Sequence, residues 1–251
     1  MFTEHSVLKN FNSIIDEAAD AGVEYLELTP SDGEIFTDKD ILNKLRYATN
    51  RIKTVMFYTN FGLCTPKIID ELLTIKLDIR ISDYGCNDRD VFEFMTRTKS
   101  FETYQNNLEY ARKVGLDFRL YNRMPDENIY YDNSNENIDD MYKGKNLPVQ
   151  NTEGVCSYLY FPRIMANGDF VVCSCSGGIL SLDEKMIIGN IYEDQLKDLM
   201  SSYKRKEFYT NHSNGDYNDF CKTCPMFSRT DIKPNIKVLR RFLWVKIWAK
   251  F

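Results

Sequence analysis

The chain has 251 residues, of which 43% are hydrophobic and 27% are charged, and its net charge is -5 at pH 7. These ordinary globular values exclude a chain that is disordered throughout, and the negative charge argues against a nucleic-acid partner held by phosphate contacts. We expect neither a secretory leader nor a membrane-spanning segment, and therefore a cytoplasmic protein whose seven cysteines are reduced.

Helices and strands alternate through the first half of the chain. Apolar spacing predicts helix 11–20 with strand 23–28, helix 40–49 with strand 53–59, helix 67–75 (begun by Pro66) with strand 77–82, and helix 101–114 with strand 118–122. This alternation predicts an α/β fold with a parallel sheet covered by helices. Ligands of such sheets bind outside the carboxyl ends of the strands. Five residues there are Gly33, Glu34, Asn60, Ser82 and Arg123.

The second half of the chain changes architecture. Strands are predicted at 158–165 and 170–173, joined by an Asn-Gly turn at 167–168 that is typical of a hairpin. We expect this hairpin to bring Cys156 and Cys173 toward each other across its ladder.

Three further segments complete the predicted organisation. Residues 126–140 are acidic and lack periodicity, which indicates a linker, and an amphipathic helix is predicted at roughly 195–208. The basic, aromatic segment 236–251 is interpreted as a terminal helix packed on the domain, with contact to a membrane surface or a partner as the alternative. The predicted domains are 1–125 (α/β part), 126–150 (linker), 151–230 (cysteine-rich α+β part) and 231–251 (tail).

Four cysteines carry the clearest chemical signal, and they are Cys156, Cys173, Cys221 and Cys224. Thiolates repel one another unless a soft cation neutralises them, so two such pairs predict a site for zinc or an iron-sulfur cluster. The C-x2-C turn lets two sulfurs approach one metal centre. The sixteen residues between the members of the first pair suit a bulky cluster at least as well as a single zinc ion.

The remaining cysteines are assigned lesser roles. Cys175 follows Cys173 by two residues and is a candidate spare ligand. Cys64 and Cys86 stand alone and are interpreted as small core residues.

The cysteines follow the spacing Cys156-x11-Gly168-x4-Cys173, then Gly189-Asn190-Ile191 and Cys221-x2-Cys224-Pro225. This spacing resembles the auxiliary-cluster region of radical S-adenosylmethionine (radical SAM) enzymes. It is most similar to the short twitch form of the SPASM extension. The resemblance implies one auxiliary [4Fe-4S] cluster held by the four cysteines. The full SPASM form has further cysteines after the C-x2-C, and residues 227–251 contain none.

The first half of the chain supports the same resemblance. Residues 26–34 resemble the strand and loop of the family's Gly-Gly-Glu-Pro motif, with Asp32 and Ile35 replacing two letters. The resemblance implies that Gly33 and Glu34 receive the methionyl amino group of S-adenosylmethionine, since glycine permits close approach and a carboxylate balances an ammonium. It also implies that the ribose or carboxylate of that cofactor is bound by Asn60, Ser82 and Arg123. The implied fold is a partial (β/α) radical SAM barrel lacking its first strand, plus a small twitch/SPASM domain.

One departure limits what the resemblance implies. The family's reactive cluster is bound by C-x3-C-x2-C, which this sequence lacks, and its first cysteine is Cys64. As the sequence stands, cleavage of S-adenosylmethionine is not expected. We expect a truncated version of a longer protein, with a natural derivative that kept only the auxiliary cluster as the alternative. With the segment present, the resemblance implies oxidoreductase-type radical chemistry on a small-molecule or peptide substrate.

Two rival functions compete with this interpretation. A non-catalytic module could hold zinc through the four cysteines on an α/β scaffold. A hydrolase or transferase is disfavoured, because the sequence has no Gly-x-Ser-x-Gly, no phosphate loop, and only His5 and His212 as histidines.

Overall fold

The fold comes from a computed structural model that describes residues 5–30, 33–84, 88–122, 154–176, 182–224, 227, 229–230 and 241–245. Arg123, Cys86 and the predicted linker lie outside these residues. The chain divides into two compact units, and the division falls within its first strand. The α/β unit comprises Glu27–Glu136 with Ile247–Phe251, and the cysteine-rich unit comprises Met1–Leu26 with Asn137–Lys246.

The described elements are numbered in chain order. The helices are α1 (His5–Asp20), α2 (Ile41–Thr49), α3 (Pro66–Leu72), α4 (Arg89–Thr96), α5 (Phe101–Val114), α6 (Leu196–Ser201), α7 (Tyr203–Ser213) and α8 (Asp219–Lys222). The strands are β1 (Tyr25–Leu28), β2 (Thr54–Thr59), β3 (Asp78–Asp83), β4 (Arg119–Asn122), β5 (Val155–Cys156), β6 (Arg163–Ile164), β7 (Asp169–Val171), β8 (Ile187–Asn190), β9 (Arg229–Thr230) and β10 (Phe242–Val245). Short 3-10 turns occur at Ile35–Thr37, Ser157–Tyr160 and Glu184–Met186.

The α/β unit contains the predicted parallel sheet, which confirms the fold class. Strand β3 pairs in parallel with β2 on one side and with β4 on the other. One sheet face is apolar and buried, because Val55, Phe57, Ile79 and Ile81 alternate with less buried neighbours along β2 and β3. The unit is therefore built from the predicted α2-β2, α3-β3 and α5-β4 pairs.

Two helices differ from the sequence prediction because side-chain caps were missed. Helix α4 was not among the predicted helices, and it begins where Asp88 Oδ1 accepts a hydrogen bond from the Val91 N–H (3.0 Å). The predicted helix 195–208 is wrong as a single element. It is divided into α6 and α7 at Ser202, whose Oγ accepts from the Arg205 N–H (3.2 Å) and starts a new helix.

The predicted hairpin is confirmed in a shorter form. Strands β6 and β7 are antiparallel, with Ile164 paired to Phe170, and β7 pairs in turn with β8. The expectation that Cys156 and Cys173 face each other across the ladder of this hairpin is wrong. A 3-10 turn at Ser157–Tyr160 separates β5 from β6, and Cys156 instead pairs antiparallel with Arg229 of β9.

The predicted terminal helix is wrong for the part of the tail that the structure describes. Residues Phe242–Val245 form β10, which is parallel to β6. Leu243 and Val245 are buried, as expected for two alternate residues on one face of a strand, and aromatic and β-branched residues favour strands. Within the described ranges, no helix has both the length and the apolar character needed to cross a membrane.

Helix α1 belongs to the cysteine-rich unit. Its Glu17 Oε2 accepts a hydrogen bond from the Leu196 N–H (3.0 Å) at the start of α6, where the N-cap residue Gln195 makes no side-chain cap bond. A carboxylate at this position satisfies a free helix N–H and interacts favourably with the helix dipole. The predicted domains are four consecutive segments of the chain, and their boundaries stay a prediction.

The Gly189-Asn190 motif fixes the hairpin turn. Asn190 Nδ2 donates to the Asn167 carbonyl (3.2 Å) and to Asp169 Oδ1 (3.1 Å), and Asn190 Oδ1 accepts from the Tyr192 N–H (2.9 Å). Gly168 adopts φ 88°, and a Cβ there would lie 2.5 Å from the Tyr192 ring. The turn therefore requires glycine both for its backbone conformation and for the ring packed against it.

We expect Gly168→Ala to lower the free energy of unfolding more than Gly215→Ala does. Gly215 also has positive φ (76°), but a Cβ at that position would meet no atom within 4 Å, so its variant reports backbone strain without a clash. The expected difference between the two variants is about 1–3 kcal/mol, the usual cost of overpacking. Urea unfolding of both variants measures it, and equal losses of stability would contradict the steric account.

Candidate functional site

The predicted thiol ligands are all buried in the cysteine-rich unit. Cys156, Cys173, Cys221 and Cys224 are each 5–6% exposed, and Cys175 is 1% exposed. The six cysteines within the described residues are free thiols, and the sixth, Cys64, is buried in the α/β unit as a core residue. Burial without disulfides leaves the five thiols available as metal ligands.

The C-x2-C segment is held by helix α8. Asn218 caps this helix, since its Oδ1 accepts from the Cys221 N–H (2.8 Å). The Cys224 N–H then donates to the Cys221 carbonyl (3.3 Å), which closes a tight turn between the two cysteines. The local structure therefore explains why two residues separate them.

A buried aromatic cluster of His212, Tyr217 and Phe227 positions the chain on either side of the cysteines. The His212 ring is stacked on Phe227 (5.9 Å between centroids) and meets Tyr217 edge to face (4.8 Å). The Tyr217 hydroxyl donates to the Gly154 carbonyl (3.0 Å), just before Cys156. Burial lowers the pKa of His212 to about 4, so this ring is neutral at pH 7.

The thiols interact with one another electrostatically. Burial raises the pKa of the Cys221 thiol, and negative charge on Cys173, Cys156 and Cys224 raises it further. A hydrogen bond from the Cys175 thiol, and then backbone N–H groups of Cys175 and Ser176, lower the pKa of Cys173 to about 7 in spite of burial. The four predicted ligands thus share one electrostatic environment, in which Cys173 is the favoured thiolate.

Arg163 supplies positive charge to this environment. It lies on β6, is 1% exposed, and its guanidinium also lowers the pKa of Cys173. Sequence reasoning missed it. The available signal was a cation within the otherwise apolar run from Leu159 to Ile164, which is unusual for a buried strand.

The donor chemistry fits an iron-sulfur cluster. Soft thiolate sulfurs are the ligands that such clusters use, and N–H groups directed at a ligand sulfur are typical of their surroundings; here the Cys175 N–H donates to Cys173 Sγ (3.3 Å). In the part of the chain that the structure describes, no three histidine, cysteine or acidic side chains form a group that could hold a single metal ion.

The second set of predicted residues lies in the α/β unit. Gly33 adopts φ 91°, and Glu34, just after it, is 6% exposed. Glu34 Oε1 accepts from the Thr59 hydroxyl (2.5 Å), and Oε2 accepts from the Asn60 N–H (2.7 Å). The Ile35 and Phe36 N–H groups also hydrogen-bond this carboxylate. The carboxylate therefore ties the loop after β1 to the end of β2.

Burial is the largest influence on the pKa of Glu34. Its pKa is raised to about 7 because burial disfavours the charged form, and the hydrogen bonds from Thr59, Asn60, Phe36 and Ile35 only partly offset this. Since the carboxylate oxygens already accept these bonds, the observed role of Glu34 is to anchor the loop. Its implied contact with a methionyl amino group stays a prediction.

The remaining predicted residues occupy the same sheet edge where they are described. The register Thr59↔Ile81 places Asn60 level with Ser82, and Ser82 is itself paired with Tyr121 of β4. Asn60 Oδ1 accepts from the Gly62 N–H (2.9 Å), and Ser82 is buried. The structure thus brings Glu34, Asn60 and Ser82 to the carboxyl ends of neighbouring strands, as the topology predicted.

Sequence reasoning missed a polar group on this sheet. The Arg80 guanidinium lies against the rings of both Tyr58 (5.4 Å) and Tyr121 (5.5 Å). It donates to the Tyr58 hydroxyl (2.8 Å) and to Asp78 (2.9 Å). Tyr58 and Arg80 alternate along β2 and β3 with the buried apolar residues, so they lie on the same face of the sheet as Ser82. Only the pairing register, which sequence does not reveal, brings them together.

Comparisons with known proteins give a family match within the cysteine-rich half and structural matches over most of the chain. Residues 159–225 match SPASM, an iron-sulfur cluster-binding domain. Among solved structures, BtrN in complex with AdoMet and 2-DOIA has a TM-score of 0.57 at 15% identity, over 90% of this chain and 83% of that chain. Native anSMEcpe with bound AdoMet and Kp18Cys peptide has a TM-score of 0.54 at 12% identity, over 92% of this chain and 85% of that chain.

Residues 159–225 thus match a SPASM domain, and the chain has the fold of BtrN and anSMEcpe, which are radical SAM enzymes. At these identities the structural likeness shows the fold alone. The SPASM match includes Cys173, Cys175, Cys221 and Cys224, whereas Cys156 lies three residues before it. A comparison with curated proteins finds no match.

We expect the stability of Glu34→Gln, relative to that of the wild type, to be greater at pH 8 than at pH 5. The pKa of Glu34 is about 7 in the folded protein and 4.5 in the reference state, so the stability that this residue contributes is fully present below pH 4.5 and is lost as the pH rises through 7. Glutamine does not titrate, and the stability difference between variant and wild type should change by up to ~3 kcal/mol between these pH values.

Urea unfolding at pH 5 and pH 8 checks this expectation. Glu109→Gln, on the exposed side of α5, makes the same chemical change without burial and serves as the control. A stability difference for Glu34→Gln that is the same at both pH values would show that its carboxyl is not desolvated.

Proposed function

We propose that this protein binds one auxiliary [4Fe-4S] cluster through Cys156, Cys173, Cys221 and Cys224. The observation that carries the proposal is a set of five buried, free cysteines, four of them within the segment that matches an iron-sulfur cluster-binding domain. Once deprotonated, these thiols would repel one another, and a cationic cluster bound among them would remove that cost.

The surrounding residues prepare this site for such a group. Backbone N–H groups of Cys175 and Ser176 and the charge of Arg163 stabilise a thiolate at Cys173. Asn218 holds the first turn of α8 and thereby orients Cys221. When bound, the cluster supplies one-electron transfer in a pocket from which burial excludes water.

We also propose a binding site for S-adenosylmethionine at the carboxyl ends of the parallel strands, formed by Gly33, Glu34, Asn60, Ser82 and Arg123. Support comes from the shared sheet edge and from the hydrogen bond that links Glu34 to Asn60. The structures of BtrN and anSMEcpe contain AdoMet. Because Glu34 is buried, we assign it the role of holding the loop against β2 so that Gly33 remains in its positive-φ conformation.

The proposed activity is radical, oxidoreductase-type chemistry in a form of the protein that includes a C-x3-C-x2-C segment, which residues 1–251 lack. A small-molecule or peptide substrate is proposed, since the BtrN structure contains 2-DOIA and the anSMEcpe structure contains a peptide. A cytoplasmic location completes the proposal.

Anaerobic reconstitution with iron and sulfide tests the cluster proposal. We expect about four iron and about four sulfide per chain. Replacing any one of the four proposed ligands by alanine should lower the iron content at least about twofold, because each thiolate anchors one iron of the cluster. Cys64→Ala makes the same change in the core of the other unit and should leave the iron content unaltered.

Cys156→Ala is the most informative variant, because Cys156 lies outside the SPASM match. Full iron content in this variant would remove Cys156 from the ligand set. A colourless protein that takes up zinc and no iron would instead favour the rival zinc-binding module.

A further inference from the structure

The sheet face that carries Ser82 also carries a cluster of charged side chains that the proposed cofactor site does not use. This cluster consists of Asp78, Arg80 and Arg119, and the register pairs Arg80 of β3 directly with Arg119 of β4. Asp78, Arg80 and Ser82 alternate along β3 and therefore point to one face. Two guanidinium groups and one carboxylate leave the cluster with one positive charge in excess.

Both guanidinium groups converge on a single carboxylate oxygen. Asp78 Oδ2 accepts from Arg80 Nε (3.2 Å) and from a terminal nitrogen of Arg80 (2.9 Å), and it also forms an ion pair with Arg119. Burial acts to raise the pKa of Asp78, but the hydrogen bonds from Arg80 and Arg119 lower it overall, so this carboxyl is ionised at pH 7. Among the residues that the structure describes, Asp78 is the one carboxylate paired with either arginine.

The Arg80 guanidinium is held in one orientation before any ligand binds. It lies against the rings of Tyr58 and Tyr121, donates to the Tyr58 hydroxyl (2.8 Å), and its side chain is 19% exposed. A guanidinium has five N–H donors. Asp78 and Tyr58 take three of them, which leaves one on each terminal nitrogen of Arg80. Because the side chain is already ordered, an anion bound there costs little further conformational entropy.

Arg80 lies beside the proposed cofactor site. Ser82 follows it by two residues on the same face, which is about 7 Å along an extended strand. Ser82 is paired with Tyr121, whose ring contacts Arg80. A small molecule with an anionic group at Arg80 would therefore extend toward Ser82 and the carboxyl end of β3.

We propose that Arg80 and Arg119 bind a carboxylate or phosphate group of the substrate. The bound anion supplies the negative charge that the cluster lacks, and the planar guanidinium matches the paired oxygens of both groups. Arg80 thereby sets specificity, since a ligand without the anionic group leaves its N–H donors unsatisfied. The identity of the ligand as a substrate rests on the proposed function.

Nuclear magnetic resonance of the full chain, labelled with nitrogen-15 arginine, tests this site with inorganic phosphate and acetate as probes. The Arg80 Nε–H is hydrogen-bonded to Asp78, and its signal is identified by its loss in Arg80→Gln. We expect both probes to shift this signal saturably at constant ionic strength. The neutral analogue acetamide should leave it in place, and an equal shift with acetamide would overturn the proposed site.

Three variants predict changes of affinity in opposite directions. Arg80→Gln, followed through the Arg119 signal, should raise the Kd of phosphate at least about tenfold, and Arg119→Gln should raise it about threefold. Asp78→Asn removes the negative charge and keeps an acceptor oxygen, so it should lower the Kd about threefold. Arg112→Gln, on the exposed side of α5, is the matched control and should leave the Kd unchanged.

Asp78→Asn keeps the test decisive if Arg80→Gln does not fold, because loss of structure does not tighten the binding of an anion. A Kd in Asp78→Asn equal to or higher than that of the wild type would overturn the proposed site. So would a Kd that is the same in folded Arg80→Gln as in the wild type.

S-adenosylmethionine itself carries a carboxylate, and competition distinguishes it from a substrate. We expect acetate to shift the Arg80 signal in the presence of saturating S-adenosylmethionine as well. Displacement of acetate would assign Arg80 to the cofactor and overturn its assignment to the substrate. Anion binding in a protein that does not bind S-adenosylmethionine would support the anion site and overturn the proposed cofactor site, and the reverse result would overturn the anion site alone.

Discussion

The structure of the cysteine-rich unit depends on the cost of bringing thiolates together away from water. Burial disfavours every thiolate, and each neighbouring negative charge adds to the penalty. The unit places N–H groups and the buried Arg163 near Cys173, where they offset part of this cost. These groups stabilise the thiolate form of one cysteine, and a cationic iron-sulfur core is needed to stabilise four thiolates together.

The residues around the cysteines hold the chain segments that carry them. Tyr217 contacts the Gly154 carbonyl before Cys156 and the Phe227 ring after Cys224, so one aromatic side chain fixes two distant parts of the sequence. Glu34 solves a related problem in the α/β unit, where hydrogen bonds from Thr59 and Asn60 compensate a buried carboxyl. In both units a costly buried group is retained at a predicted binding position, which is typical of functional sites.

Local sequence signals predicted the parts of the fold that local forces determine. The helix that begins at Pro66 and the turn at Gly168 follow from backbone preferences, and both are present. The pairing of Cys156 with Arg229 could not be predicted in this way, because the partner strand lies about seventy residues away in sequence. The helix predicted at residues 242–245 is a strand for the same reason, since β10 is defined by its pairing with β6.

The most direct test of the account is the location of iron in a crystal of the anaerobically reconstituted protein, found by anomalous diffraction at the iron edge. The account predicts one compact iron peak surrounded by the sulfurs of Cys156, Cys173, Cys221 and Cys224. An iron peak elsewhere, or thiols of Cys156 and Cys173 that do not share it with Cys221 and Cys224, would contradict the account.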